Sequence, residues 1–167
     1  MSCPDRKTVL VVEDDPLLAG LLENCGDEGY FKLDGTADDG LYYKVVVFPD
    51  LQKASSYLQE KSQQVAGVWT DCNLQCCSGL DFAREVKRLF PRMPVVMVTG
   101  SEIEGSVAKE SGVDLFVPKP INLDDIPLIS QSLQMIRKFF QGDQSMVGGL
   151  GLLLAEHRRF GWKLLLP

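Results

Sequence analysis

The chain has 167 residues, 45% of them apolar and 24% charged, with a formal net charge of −6. That length fits one domain with a real core and little beyond it. The acidic balance argues against a surface that neutralises nucleic-acid phosphates, which relies on clustered Lys and Arg. Arg158, Arg159 and Lys163 are the one basic candidate patch, and no direct nucleic-acid contact is expected. No run of about 18 apolar residues exists to cross a membrane as a helix. The N-terminal Met-Ser-Cys-Pro-Asp-Arg-Lys lacks the apolar stretch of a secretory signal, so the expected location is cytoplasmic. Five cysteines, an odd number without an export signal, read as reduced thiols.

Thr8-Val-Leu-Val-Val12 is a β-branched run that stops at Glu13, Asp14 and Asp15, as suits a strand buried on both faces of a parallel sheet. Asp15 then Pro16 is a helix start, a cap side chain followed by proline at the first helical position. Leu17, Leu18, Leu21, Leu22 and Cys25 follow at helical spacing, and Gly29 closes the unit. The pattern repeats. Lys44–Phe48 is strand-like and Pro49-Asp50 opens a helix. Val65–Thr70 is a third strand ending at Asp71, and Ser78-Gly79 opens a helix lined by Leu80, Ala83, Val86, Leu89 and Phe90. Pro94–Val98 is a fourth strand ending at Thr99, followed by a weaker helix over Glu102–Ser111. Val113–Val117 is a fifth strand ending at Pro118-Lys119-Pro120, and a last helix spans roughly Asp124–Phe140, starting late or bending at Pro127.

Five strands alternating with five helices predict an α/β fold with a parallel sheet and right-handed crossovers. Ligands of such open sheets bind beyond the carboxyl ends of the strands. The residues at those ends are Glu13, Asp14, Asp71, Thr99 and Lys119. Any one of them alone is a weak signal, because a strand-end Asp is ordinarily a turn or cap residue. Together they bring three carboxylates within a few ångströms, which repel unless a cation joins them. Hard oxygen ligands with room for water suit magnesium. A free carboxylate oxygen on Asp71 can attack phosphorus. Phosphoryl transfer then needs alignment and charge neutralisation, which the metal, the Lys119 ammonium and the Thr99 hydroxyl can supply.

Over roughly residues 6–140 the sequence resembles the receiver domain of two-component response regulators. The resemblance is carried by Val-Leu-Val-Val-Glu13-Asp14-Asp15-Pro, by Trp-Thr-Asp71 with Gly79 eight residues on, by Val-Val-Met-Val-Thr99-Gly, and by Pro118-Lys119-Pro120. It implies a flavodoxin-like doubly wound sheet of order 2-1-3-4-5 and a phosphoacceptor at Asp71. The donor it implies is a phosphohistidine on a sensor histidine kinase or histidine phosphotransfer protein. It further implies Mg2+ bound directly by Asp14, mostly through water by Glu13, and by Asp71 and the Asn73 backbone carbonyl. Lys119 would pair with the phosphoryl group across a cis bond to Pro120, Thr99 would swing toward it, and Phe116 would rotate inward. The face made by the fourth helix, fifth strand and fifth helix would dock a downstream protein or a second copy. The chain would catalyse only its own magnesium-dependent phosphorylation and dephosphorylation.

Several features depart from that pattern. The family's Met-Pro at the third and fourth positions after the acceptor is Leu74-Gln75 here, and loss of that proline predicts a looser loop. Cys72, Cys76 and Cys77 flank the acceptor, where thiols could bind a soft metal or sense oxidation, but their spacing fits no common zinc pattern and they read as structural or incidental thiols. Residues 31–43 exceed an ordinary connection and read as a surface excursion or extra hairpin, with only a superficial likeness to a calcium loop. On the last helix Ile129, Leu133, Ile136 and Phe140 mark the core face. Leu128, Met135 and Phe139 form a second stripe roughly 100° round, for a partner or for the chain's own tail.

The receiver is expected over residues 1–141 and a tail without an output domain over 142–167. The tail's leucines, Trp162 and basic residues suit self-packing or disorder on one reading, and a membrane surface or partner groove on another. His157 is the only histidine and reads as a surface residue. Two other functions compete. One is a receiver-fold interaction module not regulated by phosphate. The other is a phosphohydrolase of similar fold, disfavoured because Asn73 stands where an acid/base Asp is required.

Overall fold

The computed structural model of the chain describes residues 7–31, 43–75, 77–155 and 161–167. Strands β1 (Thr8–Val12), β2 (Lys44–Phe48), β3 (Val65–Thr70), β4 (Val95–Thr99) and β5 (Leu115–Pro118) form a parallel sheet. A sixth, β6 (Lys163–Leu164), pairs antiparallel with β5, giving the order β2-β1-β3-β4-β5-β6. The expected α/β architecture and the order of its five strands are therefore present, with one addition. β6 contributes only two paired residues, too few for an alternation to declare itself in sequence.

The central strands β1, β3 and β4 are buried because their side chains serve two cores, whereas the edge strand β2 is only partly covered. On β1, Val9 and Val11 join the layer containing α1 (Pro16–Asp27) and α5 (Asp125–Phe140). Leu10 and Val12 join the opposite layer, with α2 (Leu51–Lys61), α3 (Gly79–Leu89) and α4 (Gly105–Glu110). Three helix starts use the side-chain caps read from sequence. Asp15 accepts from the Leu17 amide at 2.9 Å, Asp50 from Lys53 at 2.8 Å and Ser78 from Leu80 at 3.2 Å. These caps satisfy amides that have no partner inside the helix. α4 has no side-chain cap and begins at Gly105, later than the expected Glu102. Pro127 stands in the first turn of α5, where its missing N–H costs no helical bond, so that helix starts at Asp125.

The excursion after α1 begins and ends on fully buried aromatics, Phe31 and Tyr43, and the Tyr43 amide donates to the Phe31 carbonyl at 2.8 Å. The calcium-loop likeness within it, like Cys76, His157, Arg158 and Arg159, lies outside the described residues. Part of the tail packs on the rest of the domain. Helix α6 (Met146–Ala155) buries Leu150 and Leu154 in the α1/α5 layer, and Gly149 lies against the Met135 methyl. The second stripe of α5 is thus covered at Met135 by the chain's own tail, and Phe139 is half-buried beside the Phe140 ring. Among the described residues no helix is long and apolar enough to cross a membrane.

Leu133 is fully buried where α5 crosses β3, its Cδ2 beside Gly67. Leu133→Ala is expected to cost about 2–5 kcal/mol, because glycine opposite it leaves the void no side chain to collapse on. Urea denaturation should show this as a lower midpoint at unchanged slope.

Candidate functional site

The parallel order places the ends of β1, β3, β4 and β5 along one rim of the sheet. Glu13 follows β1 and is 1% exposed, its amide donating to the Phe48 carbonyl. Asp71 follows β3 and is 7% exposed, its amide donating to the Val12 carbonyl. Lys119 follows β5, and its amide donates to the Thr99 carbonyl at the end of β4. The Lys119 Nζ then reaches 2.6 Å from Asp71 Oδ2 and 2.9 Å from Glu13 Oε2, making one ammonium common to three strand ends. Burial on its own would lower the Lys119 pKa. The hydrogen bonds and charges of Asp71 and Glu13 outweigh it and hold the value above the ordinary lysine range, so the group stays cationic at neutral pH. The Lys119–Pro120 peptide is cis, as the resemblance implied.

The remaining groups are placed around this pair. Thr99 is 1% exposed, and its Oγ1 accepts from the Ser101 amide at 3.2 Å. Asn73 donates its backbone N–H to Asp71 Oδ1 at 3.2 Å and its side-chain amide to the Ser101 hydroxyl. Phe116 is 5% exposed on β5, three residues before Lys119. Sequence reasoning passed over Ser101, although a threonine two residues before a backbone N–H is a recognisable turn former.

Two expectations are corrected. The three carboxylates do not converge on one point. Among the described residues no three His, Cys, Asp or Glu side chains form a metal-holding group. Lys119 draws Glu13 and Asp71 together, while Asp14 Oδ2 accepts from the Gln75 amide at 2.9 Å. The loop after Asp71 is also tied rather than loosened. Asn73–Leu74 pairs antiparallel with Cys77–Ser78, and the Gln75 N–H that anchors it to Asp14 is a donor that a proline there would lack. The departure from Met-Pro carried this signal, since exchanging proline for glutamine adds a hydrogen-bond donor.

The charge balance nonetheless fits a divalent cation. Glu13, Asp14 and Asp71 bring three negative charges against the single ammonium of Lys119, and among the described residues no ion pair reaches Asp14. Two charges are left to neutralise with hard oxygen donors, the chemistry that magnesium takes. The neighbouring thiol is not a competing soft site. Cys72 is buried, and burial together with the adjacent Asp71 charge pushes its pKa up, away from the thiolate that binds metal or reacts.

Gly79 opens α3 directly against Asp71, and its amide donates to the Cys72 carbonyl. A Cβ there would overlap the Asp71 carbonyl oxygen, so Gly79→Ala must push the acceptor's backbone away. We expect that variant to lower the urea midpoint and to break the Lys119–Asp71 pair, visible as a lost Lys119 Nζ cross-peak shift in NMR. For Cys72, the raised pKa means little thiolate below the ordinary thiol range. Iodoacetamide at pH 8 should modify the exposed Cys77 well before Cys72, and Cys72 labelling in the folded protein should climb only at more alkaline pH, as peptide mapping would show.

The response regulator receiver domain model matches residues 9–130. The transcriptional regulatory protein AruR of Pseudomonas aeruginosa is 32% identical over 136 residues, which cover 78% of this chain and 49% of AruR. The nitrogen assimilation regulatory protein NtrX of Azorhizobium caulinodans is 32% identical over 137 residues, covering 77% of this chain and 26% of NtrX. The chain thus spans about half or less of the curated relatives it matches. Among solved structures, a response regulator receiver domain protein from Clostridium thermocellum superposes with a TM-score of 0.66 at 19% identity, covering 80% of this chain and 98% of that one. A CheY-like receiver domain protein from Methanospirillum hungatei gives 0.65 at 20% identity, with 80% and 98% covered. These last two likenesses bear on the fold, whereas the family match extends over most of the sequence: the chain belongs to the response regulator receiver domains.

Proposed function

We propose that this receiver takes a phosphoryl group from a phosphohistidine onto Asp71 and changes its α4-β5-α5 face in response, in a cytoplasmic phosphorelay. The observation that carries the reading is the Lys119 ammonium, 2.6 Å from the Asp71 carboxylate and shared with buried Glu13. A cation held at that distance needs only a small turn of its side chain to neutralise a phosphoryl group formed there. In the transfer an Asp71 carboxylate oxygen forms the new O–P bond. The P–N bond to the donor imidazole breaks, and its electron pair stays on the leaving nitrogen. Asp14, Asp71, the Asn73 carbonyl and, through water, Glu13 would hold Mg2+, which when bound would offset the remaining negative charge. Lys119 then turns from the carboxylate to the phosphoryl oxygens. Thr99 gives up its bond to the Ser101 amide and turns its hydroxyl the same way, while the Phe116 ring, expected to rotate inward, already lies buried before any loading. The donor is a sensor histidine kinase or histidine phosphotransfer protein, and the target is a protein docking on the switched face, or a second copy in a homodimer.

Incubation with Mg2+ and acetyl phosphate should add one phosphoryl mass to the intact protein, lost in Asp71→Ala and strongly reduced in Lys119→Ala. No mass gain in the native protein, with Phe116 resonances unmoved by beryllofluoride, would instead favour an interaction module that phosphate does not regulate. The Gln75 amide makes a second prediction. Gln75→Pro removes the donor that occupies Asp14. One hydrogen bond is worth about 1 kcal/mol net, so Mg2+ affinity measured by calorimetry should rise about fivefold.

A further inference from the structure

Extended segments add to exposed sheet edges by main-chain hydrogen bonding, with alternate side chains setting the fit. β5 has such an edge. We infer that this edge is a strand-docking surface, that its occupant is the chain's own C-terminal segment Gly161–Pro167, and that loading Asp71 releases it. The inference rests on the phosphoacceptor reading above.

The segment is seated by backbone and side chain together. Lys163 pairs with Phe116 and Leu164 with Leu115, and the Leu165 amide donates to the Asp114 carbonyl at 2.8 Å. Its side chains alternate as a strand's must. Trp162, 5% exposed, and Leu164 and Leu166 enter the α1/α5 core layer, whereas Leu165 enters the layer that contains Phe116. The Lys163 Nζ lies 5.9 Å from the Phe116 ring centroid, within reach of a cation–π attraction. Gly161, at φ 81°, is close enough to Pro118 that a Cβ would stand 3.2 Å from the Pro118 Cγ.

Two of the contacts that seat the segment, at Phe116 and Pro118, are made to the stretch of β5 that ends at Lys119. Pro118 immediately precedes Lys119, whose ammonium is bound to Asp71. Phe116 is on the same strand, and its ring lies beneath Lys163. When Lys119 follows a new phosphoryl charge, the end of β5 that it terminates is drawn with it, and the segment loses its seat at Pro118 and its register against the buried Phe116 ring. A ligand shifts such an equilibrium by its difference in affinity for the two arrangements, and the effect is reciprocal. A docked tail accordingly opposes loading of Asp71, and an undocked one favours it.

The test is hydrogen exchange on the full chain in Mg2+, with and without beryllofluoride, while fluorine NMR reports occupancy of Asp71. Loading is expected to speed exchange of the Leu165 amide about tenfold, as a coupling of ordinary size gives. In Asp71→Asn it should change nothing. Lys163→Ala leaves Trp162 and the leucines in place, which guards against misfolding. It should raise basal Leu165 exchange and tighten beryllofluoride binding by the same factor. Unchanged or slower Leu165 exchange in a chain whose fluorine spectrum shows bound beryllofluoride would overturn the release mechanism alone. Absence of any bound fluorine signal would remove the phosphoacceptor reading, and the inference with it.

Discussion

One ammonium joins three strands of this fold. With neighbouring strands about 4.8 Å apart, β5 stands roughly 10 Å from β3 and further still from β1. Only a long side chain can leave the end of β5, pass the end of β4 and meet carboxylates on the far side. Lys119 does so, and the groups it meets are almost wholly inaccessible to water. Taking one partner away from such a set leaves an uncompensated buried charge, a loss of about 3–5 kcal/mol. The rest of the rim follows from this constraint. Thr99 is buried where the lysine's backbone bonds to β4, and half-buried Asp14 is left, among the described residues, as the carboxylate without a cation.

The framework was legible because each local signal agreed with the next. The β-branched runs ending in acids became strands that end at the site, and Asp15, Asp50 and Ser78 cap helices as their side chains require. What escaped was structure whose cause is tertiary. α6 contains Gly148, Gly149 and Gly151, which weigh against a helix by propensity. It forms because Leu150 and Leu154 find an apolar surface on α5, and Gly149 permits the approach to Met135. Tertiary burial of that apolar face overrides a propensity cost of about 1 kcal/mol per glycine.

The loop after Asp71 shows how a residue comparison can point the wrong way. Replacing a rigid proline by glutamine raises the entropy of an isolated loop, and the loosening expected from sequence followed from that alone. The new N–H, however, has an acceptor waiting in Asp14, whose carboxylate lacks a cation partner among the described residues. Electrostatics at the rim thus supplies the order that covalent stiffness would have given, and it does so by occupying an oxygen suited to a metal. The loop's order and the metal's affinity draw on the same lone pairs.

The same sharing appears at the other end of the site, where it has a mechanical consequence. A two-residue pairing such as β5–β6 cannot hold by its own hydrogen bonds. Trp162 and the alternating leucines keep it in place, against a net loss of chain entropy of about 1–2 kcal/mol for each ordered residue. The balance is therefore narrow, and an edge strand narrowly held is one that a local charge change of ordinary coupling energy, about 1–3 kcal/mol, can shift. A long, fully zipped strand would be beyond the reach of a single phosphoryl group. The brevity of β6, which hid it in the sequence, is the property that would let it report on Asp71.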